Sequence, residues 1–346
     1  MAEQQLTVAV IVPARNGARV LPGCLRALRR QDYPPESYEV IVVDDASTDR
    51  TPALVREEIA RDWQEDAPRL RLIEQSWSGA GAARNRAVTE SRADVVLFTD
   101  ADCEPVPDWI SAMMRPFAEA GADCVAGGYL THQRGWVARL AQADFEQRYR
   151  RLASYDSVDV AFTHAAAYRR EVFVELKGFD ERMPNDGDDL ELAYRLSQTG
   201  RRIVYAPDGL VFHLHPETLV QYARKKFGRG FWRTLVYKRY PDKVAQDTYT
   251  PQVLKLQVLL AGLTVGGALI GLALRSGSML AAAATSLGLL VITTVPFALR
   301  IRTSLRLRLL APIFLLVQAA AVGAGVAYAL VDRIENYEVG GRRKRT

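Results

Sequence analysis

The chain has 346 residues, 49% of them hydrophobic and 25% charged, with a formal net charge of +5, enough for one large domain and a further region. Many of its basic residues cluster beside long apolar runs. With no zinc-finger spacing, RNP-like aromatic pattern or long basic stripe, this points to a membrane surface and away from nucleic acid. Cys24, Cys103 and Cys124 have neither disulfide-framework nor metal spacing, which fits a reducing compartment.

Residues 1–7 are polar and run straight into a strand, so no signal peptide is expected. The apolar run 7–13 predicts that strand, and Ala14-Arg15-Asn16-Gly17 has loop chemistry. Leu21, Leu25 and Leu28 then recur at helical spacing. A second strand, 39–43, ends in Asp44-Asp45. Thr48 or Asp49 is placed to cap a helix opening at Thr51-Pro52. A third strand, 70–74, leads to a small-residue helix from Gly79, and a fourth covers 95–99. Four alternations of strand and helix predict an α/β domain with a mostly parallel, Rossmann-like sheet. Gly79-x-Gly81 lacks the third glycine of a dinucleotide fingerprint and follows the third strand instead of the first.

The fourth strand ends in two carboxylates, Asp100 and Asp102, at the sheet edge where open α/β folds bind ligands. If the strand continued, both would point to one side and share a divalent cation. Beyond them a helix is expected over 109–120 and a strand over 123–129. An acidic loop, 178–187, delivers Asp188-Asp189-Leu190-Glu191 onto a helix, and a strand over 202–206 is followed by the segment 210–216 with His213 and His215.

Taken together, Pro13-Ala14-Arg15-Asn16, Asp44-Asp45-Ala46-Ser47-Thr48-Asp49, Ala83-Arg84-Asn85, Asp100-Ala101-Asp102 and Asp188-Asp189-x-Glu191 resemble, in order, the family 2 glycosyltransferases. The resemblance implies a GT-A fold, a nucleotide-sugar donor, a divalent metal (Mn2+ or Mg2+) and transfer with inversion. It implies Asp189 as general base with Asp188 beside it, and Asp102 with Asp100 as metal ligands. His213, and less directly His215, would join the metal shell. Asp45 would meet the nucleotide base next to Asp44, Pro13, Arg15 and Asn16 would shape the loop under the nucleotide, and Arg84 would meet diphosphate or cover the sheet edge. Asp188 and Glu191 stand where relatives carry Glu and Asp, and Ala165 where many carry Asn. No Q-x-x-R-W follows residue 196, so one transfer per encounter is expected.

Residues 218–250 mix aromatic and basic side chains, as an interfacial helix would. Within 251–346, the runs 256–274, 279–299 and 309–331 would each extend on the order of 28 to 34 Å as helices, enough to span a bilayer. The expected organisation is a GT-A domain over 1–217, the interfacial segment, and an α-helical transmembrane region with a basic tail. The domain would lie on the cytoplasmic side of the inner or plasma membrane. Arginines 300, 302, 306 and 308 suit a cytoplasmic loop, whereas three full spans would leave Arg342, Arg343, Lys344 and Arg345 outside. A lipid-linked saccharide acceptor follows from this architecture. The alternatives are a polyprenyl-phosphate sugar synthase and an inactive nucleotide-sugar-binding scaffold.

Overall fold

The computed structural model describes residues 6–61, 67–183 and 187–331, so residues 184–186 of the acidic loop and the basic tail lie outside the described residues. The chain divides into two compact units. In the first, β1 (Val8–Ala14), β2 (Tyr38–Asp45), β3 (Arg69–Gln75) and β4 (Val95–Phe98) are parallel. Helices α1 (Leu21–Arg29), α2 (Thr51–Arg61) and α3 (Ala80–Glu90) connect them. Most residues of β1 and β2 and all of β4 are buried, as a sheet covered on both faces requires. The chain continues through β5 (Glu104–Pro105), α4 (Trp109–Glu119), β6 (Cys124–Leu130), α5 (Trp136–Leu152), β7 (Ala166–Arg169), α6 (Arg170–Glu175), α7 (Asp188–Gln198) and β8 (Ile203–Phe212).

The sheet order is β3-β2-β1-β4-β7-β6-β8-β5, with β7 and β5 antiparallel to their neighbours. From β1 the chain builds outward through β2 and β3, then returns to place β4 on the other side of β1. The loops after β1 and β4 therefore diverge at a topological switch point, where such sheets bind ligands. Between β6 and β8 a bulge shifts the register, and a Cβ at Gly127 would collide with the carbonyl of Gly209.

Gln133–Arg150, most of α5, groups with residues 215–331 in the second unit. The cause is the apolar face of α5. Val137, Leu140 and Ala141 form one buried cluster with Tyr222, Phe297, Phe314 and Leu315. This unit contains α8 (Leu219–Arg239), α9 (Lys243–Gln246), α10 (Gln252–Ala273), α11 (Gly277–Ile292), α12 (Val295–Arg300) and α13 (Leu305–Val331). Thr218 and Gln221 close a capping box at the start of α8. Three stretches, Gln252–Ala273, Gly277–Arg300 and Leu305–Val331, are long and apolar enough to cross a membrane. α8 packs lengthwise on α13, from Tyr222 against Phe314 at 4.3 Å to Phe231 against Tyr328 at 5.5 Å. Gly230 permits this approach, since a Cβ there would meet the Val322 carbonyl at 2.5 Å.

Candidate active site

The site is built at the C-terminal ends of β1, β2 and β4. Asn16, at φ +53° in the loop after β1, donates its backbone N–H to Ser47 Oγ at 2.8 Å and accepts the Thr48 N–H on Oδ1 at 2.8 Å. Gly17 N–H donates to Thr51 Oγ1 at 2.9 Å, so the loops after β1 and β2 form one scaffold. Asp49, one of two expected caps, accepts the Thr51 N–H at 2.9 Å at the start of α2; Thr48 is instead tied to Asn16. Pro13 lies in β1 opposite Val43, and the Arg15 guanidinium lies 4.8 Å over the exposed ring of Trp77.

The two aspartates ending β2 have different duties. Asp45 accepts from Gln75 Nε2 at 2.9 Å, Ser78 N–H at 2.8 Å and Gly79 N–H at 2.9 Å, so both its oxygens organise the loop into α3. Asp44 accepts the Ser47 N–H on Oδ2 at 3.1 Å. Its Oδ1 is buried with no hydrogen-bond partner among the described residues. Asp44 Oδ1 is thus a buried acceptor left open at the end of β2, beside the Asp45 that the resemblance assigns to the nucleotide base.

Asp100 and Asp102 do not continue a strand. Cys103 N–H donates to the Asp100 carbonyl at 3.0 Å, so the chain turns after β4 and the two carboxylates part. Asp100 Oδ1 accepts from Arg84 Nη2 at 2.7 Å. Asp102 faces His213 instead, with Oδ2 and Nδ1 3.7 Å apart, and their ligand atoms together with Cys103 Sγ all lie within 4.8 Å of one another. Burial first, then the charges of Asp100 and Asp102, push the Cys103 thiol well above its usual value, so it stays protonated. A carboxylate oxygen with an imidazole nitrogen suits Mn2+ better than Mg2+, which takes oxygen ligands, so the donor set of Asp102 and His213 fits the first of the two expected cations. His215 is not in this group. Its Nε2 lies 2.9 Å from Gln142 Oε1 and its ring stacks on Phe145, all within the second unit.

Arg84, buried at 5% exposure, bridges the two acidic motifs: Nη1 lies 3.6 Å from Asp188 Oδ2 while Nη2 holds Asp100. Burial pushes the Asp188 carboxyl up, opposed by Arg84. The next residue, Asn85, exchanges two hydrogen bonds of 2.9 Å with the backbone of Phe179 and so fixes the approach to α7. On α7 itself, Asp188 Oδ1 accepts the Asp189 N–H at 3.0 Å, and Asp189 is half-buried. Glu191 is buried and paired with Arg195 at 2.5 Å, whose guanidinium also donates to the carbonyls of Leu176 and Gly178. The acidic motif thus separates into a buried anchor, Asp188, an accessible carboxylate, Asp189, and a structural clamp, Glu191. Sequence reasoning missed Trp77, whose signal was an aromatic residue in the turn before α3.

The family model described as Glycosyl transferase family 2 matches residues 9–177, and that described as Glycosyl transferase family group 2 matches residues 95–326. The chain is 31% identical to glycosyltransferase AglE of Haloferax volcanii over 211 residues, 60% of this chain and 66% of that protein. It is 28% identical to pre-mycofactocin glycosyltransferase of Mycobacterium tuberculosis over 261 residues, 73% of this chain and 52% of that protein. The chain thus spans between half and two thirds of the length of these relatives. The mannosyltransferase PcManGT of Pyrobaculum calidifontis, solved with GDP-Man and Mn2+, superposes with a TM-score of 0.62 at 23% identity over 95% of this chain and 88% of that one, a likeness of fold. With its GT-A fold, its ordered acidic motifs and a family model covering more than half its length, this chain belongs to the family 2 glycosyltransferases.

Proposed function

We propose that the chain transfers a sugar, with inversion and once per encounter, from a nucleotide-sugar donor to a hydroxyl of a lipid-linked saccharide at the membrane. The observation that carries this reading is the Arg84 bridge. It ties the turn after β4 to the acidic start of α7 and leaves Asp189 as the accessible carboxylate of that motif. Asp189 is the general base, taking the proton from the attacking hydroxyl. Asp188 is a positioning residue that holds the Asp189 backbone. On the donor side, Asp44 Oδ1 receives an N–H of the base, the loop of Asn16 supports the nucleotide, and Arg15 with Trp77 borders it. Asp102 and His213 would hold Mn2+ or Mg2+, which supplies neutralisation of the charge growing on the leaving diphosphate.

The acceptor class rests on architecture. The three apolar stretches and the arginines of residues 300–308 suit an inner or plasma membrane protein with a cytoplasmic catalytic domain and an acceptor presented at the bilayer, as envelope or exopolysaccharide assembly requires. The test is a thermal-shift panel on detergent-solubilised protein with UDP-, GDP-, dTDP- and CDP-sugars, with and without Mn2+ or Mg2+. It is followed by transfer of the labelled sugar into lipid extract. GDP-mannose with Mn2+ is the first pair to try, being the pair bound by the mannosyltransferase of like fold. One donor that stabilises the chain only with metal, and labels lipid, is expected. Labelled lipid whose sugar sits directly on phosphate would replace this reading with the synthase, and the absence of any donor shift would replace it with the scaffold.

A further inference from the structure

Of the three stretches of membrane-crossing length, α13 is the one bound lengthwise to a charged helix. α8 runs beside it in the same direction: Tyr222 meets Phe314, Phe231 meets Tyr328, and Lys238 Nζ donates to the Ala329 carbonyl at 2.7 Å. Residues 222–238 therefore share whatever depth residues 314–329 occupy. Those turns of α8 hold Arg224, Lys225, Lys226, Arg229, Arg233 and Lys238 and no acid. At the midpoint of α13, Gln318 Nε2 donates to Asp144 of α5 at 3.1 Å, and that carboxylate also meets Arg148 at 3.0 Å and Lys226 at 3.5 Å. A crossing α13 would carry these ions into hydrocarbon, where each is costly even when paired. Between Phe314 and Ala329, α13 leaves no large apolar side chain exposed among the described residues, and its outward positions are Ala320, Ala324 and Ala327.

The other two helices differ. α10 and α11 form a hairpin, tied at its base by Gln257 Nε2 on Thr293 Oγ1 at 3.2 Å and by Leu260, Ala261 and Leu290 packed with Ala319 of α13. Beyond that base the two legs face each other, Gly267 against Ala283 and Gly271 against Leu280, whereas Gly262 and Gly266 have nothing near a Cβ position. Leu263, Val265, Leu269, Leu272, Leu287 and Leu289 are exposed, and neither leg carries a charge from Gln257 to Ala273 or from Gly277 to Ile292. α11, 16 residues long, extends on the order of 24 Å, most of the hydrocarbon thickness of a bilayer. Charge returns at the two ends of the hairpin. Arg275 is exposed at its tip, and Arg300, Arg302 and Arg306 are exposed after its second leg.

We propose that the chain enters the bilayer through the α10–α11 hairpin alone. Its exposed leucines meet acyl chains, Arg275 reaches the far headgroups, Arg300, Arg302 and Arg306 lie among the near, anionic ones, and α13 stays with α8 outside the hydrocarbon. Two crossings in place of three return the chain to the side of the catalytic domain. The basic residues 342–345 then fall on the same side as Arg300, and the conflict with the positive-inside tendency disappears. The proposal rests on the membrane placement given above and not on the transfer chemistry.

The experiment uses the full chain expressed in the inner membrane of a bacterial host. Cys24, Cys103 and Cys124 are buried, so a membrane-impermeant maleimide reads introduced cysteines. Ser278→Cys, at the tip, should label in intact spheroplasts, and Thr303→Cys and Thr346→Cys only after permeabilisation. Labelling of Thr346→Cys from outside means a third crossing and overturns the proposal, as does a Ser278→Cys that stays unlabelled until the membrane is opened. A second pair of variants tests the depth of each helix. Val265→Lys, exposed midway along the hairpin, should lower the carbonate-resistant membrane fraction by about ten-fold or more, and Ala320→Lys, exposed near the middle of α13, should leave it as in wild type. Equal loss in both, or none in Val265→Lys, would also overturn the proposal. Release of wild type by the carbonate wash would remove the membrane placement and the proposal together. Retention of wild type with outside labelling of Thr346→Cys would remove the proposal and leave the membrane placement standing.

Discussion

Arg84 Nη1 lies 3.6 Å from Asp188 Oδ2, and both side chains are almost fully buried. The second Arg84 nitrogen holds Asp100 at 2.7 Å, so one guanidinium balances two carboxylates from motifs nearly ninety residues apart. Arg84→Met removes the balance and leaves a buried negative charge without a counter-ion. Breaking such a pair from one side costs about 3–5 kcal/mol. The variant should melt at a clearly lower temperature in detergent, and Arg84→Met combined with Asp188→Asn should recover part of that loss. An unchanged melting temperature for the single variant would show that the bridge is not energetically coupled.

Asp188 also makes stability depend on pH. Burial, its largest influence, and Asp100 raise its carboxyl above the ordinary value of 3.8, and Arg84 only partly opposes them. A carboxyl raised in the folded chain contributes stability in full below its unfolded value, and that contribution is lost as pH rises through the folded value. Asp188→Asn has no such loss. Its melting temperature relative to wild type should therefore improve as pH rises from about 4 to about 7. A difference that stayed flat, or moved the other way, would contradict the assignment.

Asp189→Asn tests the division of labour on α7. Asparagine keeps an oxygen for the Leu190 N–H, which Asp189 Oδ1 accepts at 2.7 Å, so the start of the helix is preserved. Donor affinity should be unchanged and transfer should fall by about 10²- to 10⁴-fold, the usual worth of a general base. Titration calorimetry with the donor beside single-turnover rates separates the two. Loss of both together would make Asp189 a binding residue.

In the second unit, Gly230→Val is expected to lower the melting temperature without affecting donor binding. A Cβ at this position meets backbone of α13, which a side-chain rotamer change cannot relieve. Overpacking of this kind costs about 1–3 kcal/mol. Gly262, with nothing near its Cβ position, is the matched control, and Gly262→Val should melt near wild type.

The strands of the switch point were legible because β1, β2 and β4 are buried on both faces and read as unbroken apolar runs. What followed each strand was less so. The apolar pattern does not mark where extension stops, so Asp100 and Asp102 read as strand neighbours, although the Cys103 N–H bond to the Asp100 carbonyl turns the chain between them. Asp44 and Asp45 are adjacent, and what distinguishes them arrives from residues 75–79, thirty or more positions away. The same holds for α5. Its apolar face is visible in the sequence, but its partners Phe297, Phe314 and Leu315 lie far along the chain. His213 and His215, two residues apart, part company because one follows β8 toward Asp102 while the other is claimed by Gln142 and Phe145.

That separation of the histidines yields the last prediction. Asp102 and His213 present an oxygen and a nitrogen suited to Mn2+, Cys103 beside them is a protonated thiol, and His215 is occupied elsewhere. Asp102→Asn should abolish Mn2+ binding measured by electron paramagnetic resonance, and His213→Ala should weaken it by about ten-fold or more, the loss of one ligand bond. Cys103→Ser should leave it within about three-fold, since a neutral thiol contributes little to a hard ion. His215→Gln should also bind Mn2+ as wild type does, because its contacts lie in the second unit. Metal removal with a chelator should erase donor-dependent stabilisation in wild type and change nothing in Asp102→Asn. If Cys103→Ser or His215→Gln lost Mn2+ while His213→Ala kept it, the ligand set assigned to the turn after β4 would be wrong.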